Sequence, residues 1–205
     1  TDHHIAGVGT QSQLDTPKQA EHRAYRTALL PEVPTIAERL RDAGYRTYAS
    51  AKWHIGYEAG DLPGARGFDR SFVLLPGGAG HFDQTPLFEG RGAEWLEDDQ
   101  PVELPDSFYS TDEMTDRLLT YIDSTPAGQP FFAYLGYTAP HWPLQARPED
   151  IGKYRGAYAD GWDALRDKRM RGAMREGVLE EGVAAVDFSS SSSADFTKYL
   201  RGVFR

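Results

Sequence analysis

No cysteine occurs among the 205 residues. That absence removes disulfide scaffolds, zinc–cysteine sites, iron–sulfur clusters and any cysteine nucleophile encoded in this chain. Positive charge is also scarce: 22 Lys and Arg stand against 31 Asp and Glu, a net charge of -9. The long-range field therefore repels phosphate, which argues against nucleic acid or an anionic membrane as partner while leaving room for a local cationic pocket. No run approaches the roughly 20 apolar residues of a membrane span. The first residues, TDHHIAGVGT, lack the basic-then-apolar order of a secretion signal. Walker loops, dinucleotide fingerprints, HExxH and G-x-S-x-G elbows are all missing. What is present is ordinary globular material, 40% hydrophobic. A chain of this length buries roughly 70% of its unfolded surface, enough for one domain or one large piece of one.

Periodicity places a few elements. In PTIAERLRDAG, Pro34 and Thr35 open a short amphipathic helix with Ile36 and Leu40 one turn apart, and Gly44 stops it. YRTYASA, residues 45 to 51, has the β-branched and aromatic content of a strand. Helix, glycine, strand is the αβ half of an α/β fold. From Glu58 to Pro105 the chain turns to Gly, Pro, Asp and aromatics, predicting long loops with a strand near Arg70 to Leu75 and a hairpin near Trp95. Ser110 and Glu113 are spaced as a capping box, opening a helix whose apolar face is Met114, Leu118, Leu119 and Ile122. FFAYLGY, residues 131 to 137, is apolar on both faces and reads as a central strand. A Pro-rich loop follows, then a helical tail from Asp150 to about Glu181 and a low-complexity, disordered end around Ser189 to Ser193. Residues 1 to 32 read as loop or extended chain.

The candidate chemistry lies at strand ends. AKWHIG sets Lys52 and His54 two positions apart, a spacing that in a strand turns both side chains to one face. An ammonium and an imidazole there suit an oxyanion, and ligands of α/β sheets bind at the carboxyl ends of strands. A solvated strand end without a role is the equal alternative. His141 follows the 131 to 137 strand between Pro140 and Pro143, which restrict its backbone. It is a pre-set donor or a loop histidine packed on Trp142. His81 follows three glycines in GGAGHF, so its backbone approaches something closely. His3 and His4 are adjacent and point apart in extended chain, and His22 lies in a polar stretch. Asp98 and Asp99 read as a solvated turn.

Taken together, TDHHIAGVG, TIAERLRDAGYRTYASAKWHIG, RGFDRSFVLLPGGAGHF and PFFAYLGYTAPHWPLQARPEDIGKYRGAYADGWDALRDKR resemble, in order, the arylsulfatase branch of the type I sulfatases, within the alkaline-phosphatase-like superfamily. The resemblance covers about residues 1 to 187 and leaves 188 to 205 as a tail. It implies part of an α/β domain, a central mixed or parallel sheet flanked by helices. It implies hydrolysis of a sulfate ester by a formylglycine nucleophile with a divalent cation, usually calcium. Lys52 then resembles the lysine that contacts sulfate and the formylglycine. His54 resembles the histidine bonded to the formylglycine hydroxyl, and His141 the histidine at the ester oxygen, placed to protonate the leaving alcohol.

The departures are as informative. The C/S-x-P-S/A-R motif that carries the nucleophile is missing, as are the paired aspartates and the Asp-Asn pair that hold the cation. The expectation is an interior block of a larger enzyme, inactive alone, and prone to aggregate or order only partly because its sheet is incomplete. Phosphate or phosphonate monoester hydrolysis, a non-catalytic fragment and an anion-binding module without turnover are the alternatives.

Overall fold

The computed structural model describes residues 28–87, 92–180 and 182–183, with the short pairs 7–8 and 25–26. The expectations for His3, His4, His22 and the serine-rich end lie outside the described residues. The chain divides into two compact units, 1–146 and 147–205.

The first unit runs β1 (Gly7–Val8), β2 (Tyr25–Arg26), α1 (Ile36–Asp42), β3 (Arg46–Lys52), β4 (Arg70–Leu74), β5 (Trp95–Glu97), β6 (Gln100–Pro101), α2 (Ser110–Asp123) and β7 (Phe131–Gly136). β1 and β2 form a parallel pair. The main sheet has the order β6-β5-β4-β3-β7. β3 is parallel to both β4 and β7, while β4–β5 and β5–β6 are antiparallel. The α/β reading with a mixed sheet holds.

Thr35 caps α1: its hydroxyl accepts from the Glu38 N–H at 3.0 Å, and the Glu38 carboxylate accepts from the Thr35 N–H at 2.7 Å. Gly44, at φ +87, ends the helix as expected. The buried face differs from the expected one, since Ile36 is exposed and Ala37 is buried. The cause is Gly67, whose missing Cβ lets loop backbone sit directly against Ala37 and Glu38.

β3 lies inside the sheet between β4 and β7, whereas β7, expected to be central, stands at its edge among the described residues. The residues of β3 alternate between two cores: Tyr48 packs with Phe72, Leu74, Trp95, Met114 and Tyr121, while Ala49 packs with Ala37, Trp53, Val73 and Leu96. β7 pairs with β3 alone among the described residues and leaves Phe131 and Tyr134 exposed. Its apolar composition suits a doubly flanked strand, but one lateral neighbour is all it has here. The predicted hairpin forms from β5 and β6, turning through Asp98 and Asp99 at φ 50 and 64, the primed geometry that two-residue hairpins favour. These carboxylates are tied down: Asp98 accepts from the Ser71 N–H and Arg70 Nε, and Asp99 from the Gly64 N–H.

α2 starts where expected, but without the capping box. Tyr109 is the N-cap, the Ser110 hydroxyl bonds His81, and Glu113 pairs with Arg117 instead. Leu119 is exposed, and Tyr121 takes its place in the core.

The second unit contains α3 (Pro148–Lys153) and α4 (Gly161–Arg175), neither with a buried residue. Tyr154 and Tyr158 stack at 6.3 Å. Among the described residues no helix is long and apolar enough to cross a membrane.

Thr47 joins β3 to the turn before β4: its fully buried hydroxyl donates to the Gly67 carbonyl at 2.7 Å and accepts from the Asp69 N–H at 3.1 Å. Thr47→Val keeps the shape and strands the buried Gly67 carbonyl, while the Asp69 N–H keeps its 2.8 Å bond to the Thr47 carbonyl, so urea unfolding is expected to show a loss of about 1–3 kcal/mol; an unchanged midpoint contradicts this account of the turn.

Candidate functional site

Register brings three strand ends level. Lys52 of β3 lies opposite Leu74 of β4, and Ala51 opposite Gly136 of β7. All three strands run the same way, so the loops leaving after residues 52, 74 and 136 share one rim, the place where α/β sheets bind ligands.

Lys52 closes β3 and is half-buried, and burial pushes its ammonium below the usual lysine range. The ladder then continues for two residues without a strand, Trp53 N–H donating to the Leu74 carbonyl at 2.8 Å and His54 N–H to the Leu75 carbonyl at 3.0 Å. Trp53 is buried edge-on to Phe68, and its indole N–H donates to the Asp61 carbonyl at 2.9 Å. This anchor fixes the backbone between the two candidate residues. His54 adopts φ 52, the left-handed region that a non-glycine residue enters at a cost. Simple strand alternation therefore does not relate Lys52 to His54; the ring of His54 packs instead on Gly77.

Gly77 and Gly78 are the residues that the sequence marked without explaining. A Cβ on Gly77 would stand 2.7 Å from His54 Cε1, and one on Gly78 would meet Leu87 and lie 3.7 Å from His141 Nδ1. Adjacent Cα atoms are 3.8 Å apart, so the two imidazoles approach within about 13 Å at most. The close approach inferred for the GGAGHF run is thus to two of the candidate histidines.

His141 is exposed on a loop whose N–H donates to the Thr138 carbonyl at 2.9 Å. Its Nδ1 lies 2.6 Å from the Trp142 carbonyl. A carbonyl only accepts, so Nδ1 holds a proton and Nε2 is the position that exchanges one. Asp98 and Asp99 serve the hairpin, as above. Among the described residues no group of three or more His, Asp or Glu side chains is arranged to hold a metal ion.

With this geometry in place, similarity to known proteins is specific. A family model described as Sulfatase matches residues 4–204. An arylsulfatase of Klebsiella aerogenes is 37% identical over 179 residues, 86% of this chain and 38% of that protein. An uncharacterized sulfatase of Schizosaccharomyces pombe is 36% identical over 214 residues, 95% of this chain and 38% of that protein. The crystal structure of Ps i-CgsB aligns with a TM-score of 0.56 at 28% identity, over 62% of this chain and 31% of that one. The chain thus spans 38% of the length of both curated relatives.

Burial lowers the Lys52 pKa, whereas a hydrogen bond from Lys153 to Asp150 raises that of Lys153. A depressed lysine pKa means that charged Lys52 costs stability at neutral pH, a cost that fades as pH climbs through the folded value toward the ordinary 10.5. NMR of dimethylated lysines is expected to show Lys52 titrating at lower pH than Lys153; the reverse order contradicts the burial of the Lys52 amine.

Proposed function

The chain belongs to the sulfatase family, and from that premise we propose that Lys52, His54 and His141 bind a sulfate ester and assist departure of its alcohol. The observation that carries the reading is the shared glycine platform: His54 against Gly77 and His141 beside Gly78, at the rim where β3 delivers Lys52. Lys52 supplies positive charge. Its partial desolvation leaves it less screened by water than a surface lysine, so it acts more strongly on an anion. His54, locked by its backbone bond to Leu75, supplies a directional donor that needs no reorganisation when the anion arrives. His141 presents Nε2. When the sulfur–oxygen bond breaks, the bonding pair stays on the alcohol oxygen, which takes the Nε2 proton of imidazolium.

The family uses calcium and a formylglycine. The described residues do not fit that calcium, because no carboxylate group converges among them. The chain has neither a cysteine nor a C/S-x-P-S/A-R run to become the formylglycine. The role assigned to these 205 residues is therefore binding and leaving-group assistance, and by themselves they are inactive, since binding groups do not replace a nucleophile.

In the protein at its natural length, an aryl sulfate is expected to react faster than the matching aryl phosphate. Lys52→Ala and His54→Ala are each expected to lower kcat for the sulfate by about 10²- to 10³-fold. Preference for the phosphate moves the reading to phosphate monoester hydrolysis, and full activity in both variants removes these residues from the site. Turnover by the purified 205-residue chain contradicts the assignment of binding without chemistry.

A further inference from the structure

We infer that His81 is a positioning residue that holds the His141 loop against the rim, an inference that rests on the leaving-group role proposed above for His141. His81 is 2% exposed, so its polar atoms must find partners inside the protein. Its Nδ1 lies 2.6 Å from the Ser110 hydroxyl in the first turn of α2, and the Ser110 N–H donates to the His81 carbonyl at 2.9 Å. On the other side, the His81 N–H donates at 2.7 Å to the side-chain oxygen of Gln145, four residues beyond His141. One buried residue therefore fastens the glycine-rich loop both to α2 and to the segment that presents His141.

Burial lowers the His81 pKa, which favours the neutral ring. A neutral imidazole has one donor and one acceptor, and the Ser110 hydroxyl, which can donate or accept, satisfies Nδ1 in either tautomer. An apolar residue of this size would fill the space without the cost of burying polar atoms. The His81 bonds instead run to the two elements whose spacing decides where His141 stands.

The test compares two substrates and two sites in the protein at its natural length. 4-Nitrophenyl sulfate departs readily without a proton, whereas an alkyl sulfate needs one. If His81 positions the acid through its N–H bond to Gln145, Gln145→Ala, which removes that acceptor, is expected to lower kcat for the alkyl sulfate by about 10- to 100-fold, with less than about threefold loss on 4-nitrophenyl sulfate. Gln145→Glu, which keeps an acceptor oxygen for the same N–H, is expected to recover most of the difference. Ser110→Ala, which frees the His81 ring from α2, is expected to give the same pattern at smaller amplitude. Hydrogen exchange adds a readout independent of turnover. The His141 N–H, bonded to Thr138, is expected to exchange faster in the Gln145→Ala and Ser110→Ala variants while the Trp53 N–H, bonded to Leu74, is unchanged. Equal losses on both substrates, or equal acceleration at His141 and Trp53, overturn the inference and leave the function standing. If His141→Ala itself shows no selective loss on the alkyl sulfate, the leaving-group role fails and the inference falls with it.

Discussion

Parallel pairing of β3 with both neighbours is the constraint from which the site follows. It sets Lys52 level with Leu74 and brings the end of β7 to the same rim. Everything attached there inherits that alignment: the Trp53–His54 extension, the Gly77–Gly78 platform and the loop of His141. The register is held in turn by alternating burial along β3, because a slip of one residue would exchange Tyr48 and Ala49 between two differently shaped cores.

The rim concentrates features that a protein otherwise avoids. Lys52 is partly desolvated, His54 has a left-handed backbone, and His81 is a titratable side chain with almost no exposure. Each costs stability, and each sits at or within a few residues of the end of β3 or β4, on the loops leaving one end of the sheet. Elsewhere among the described residues the first unit is conventional, with capped α1, a primed hairpin turn and aromatic packing around Phe72 and Trp95. Strain at one edge supported by regular packing elsewhere is the arrangement expected of a functional site.

Local signals in the sequence carried the elements well. Pro34 with Thr35, Gly44, and the β-branched and aromatic content of residues 45 to 51 located α1 and β3 because capping and propensity act over a few residues. Non-local facts were harder. The apolar run of β7 could not reveal how many strands flank it. The Ser110–Glu113 spacing matched a capping box, yet the hydroxyl had a better partner in His81, twenty-nine residues away. For the site, Lys52, His54 and His141 were legible as strand-end residues and through family resemblance. Their relation through Gly77 and Gly78 was not, since a missing Cβ shows in sequence only as a glycine. His81 stayed open for the same reason: burial depends on what folds over it.

The central claim is that Lys52, His54 and His141 face one tetrahedral anion. Titration of the ¹⁵N-histidine-labelled, lysine-dimethylated protein with inorganic sulfate, followed by NMR, addresses it most directly. The account predicts that the His54 ring, the His141 ring and the Lys52 amine shift together along one saturation curve. Separate curves, or a response confined to one of the three, would contradict it.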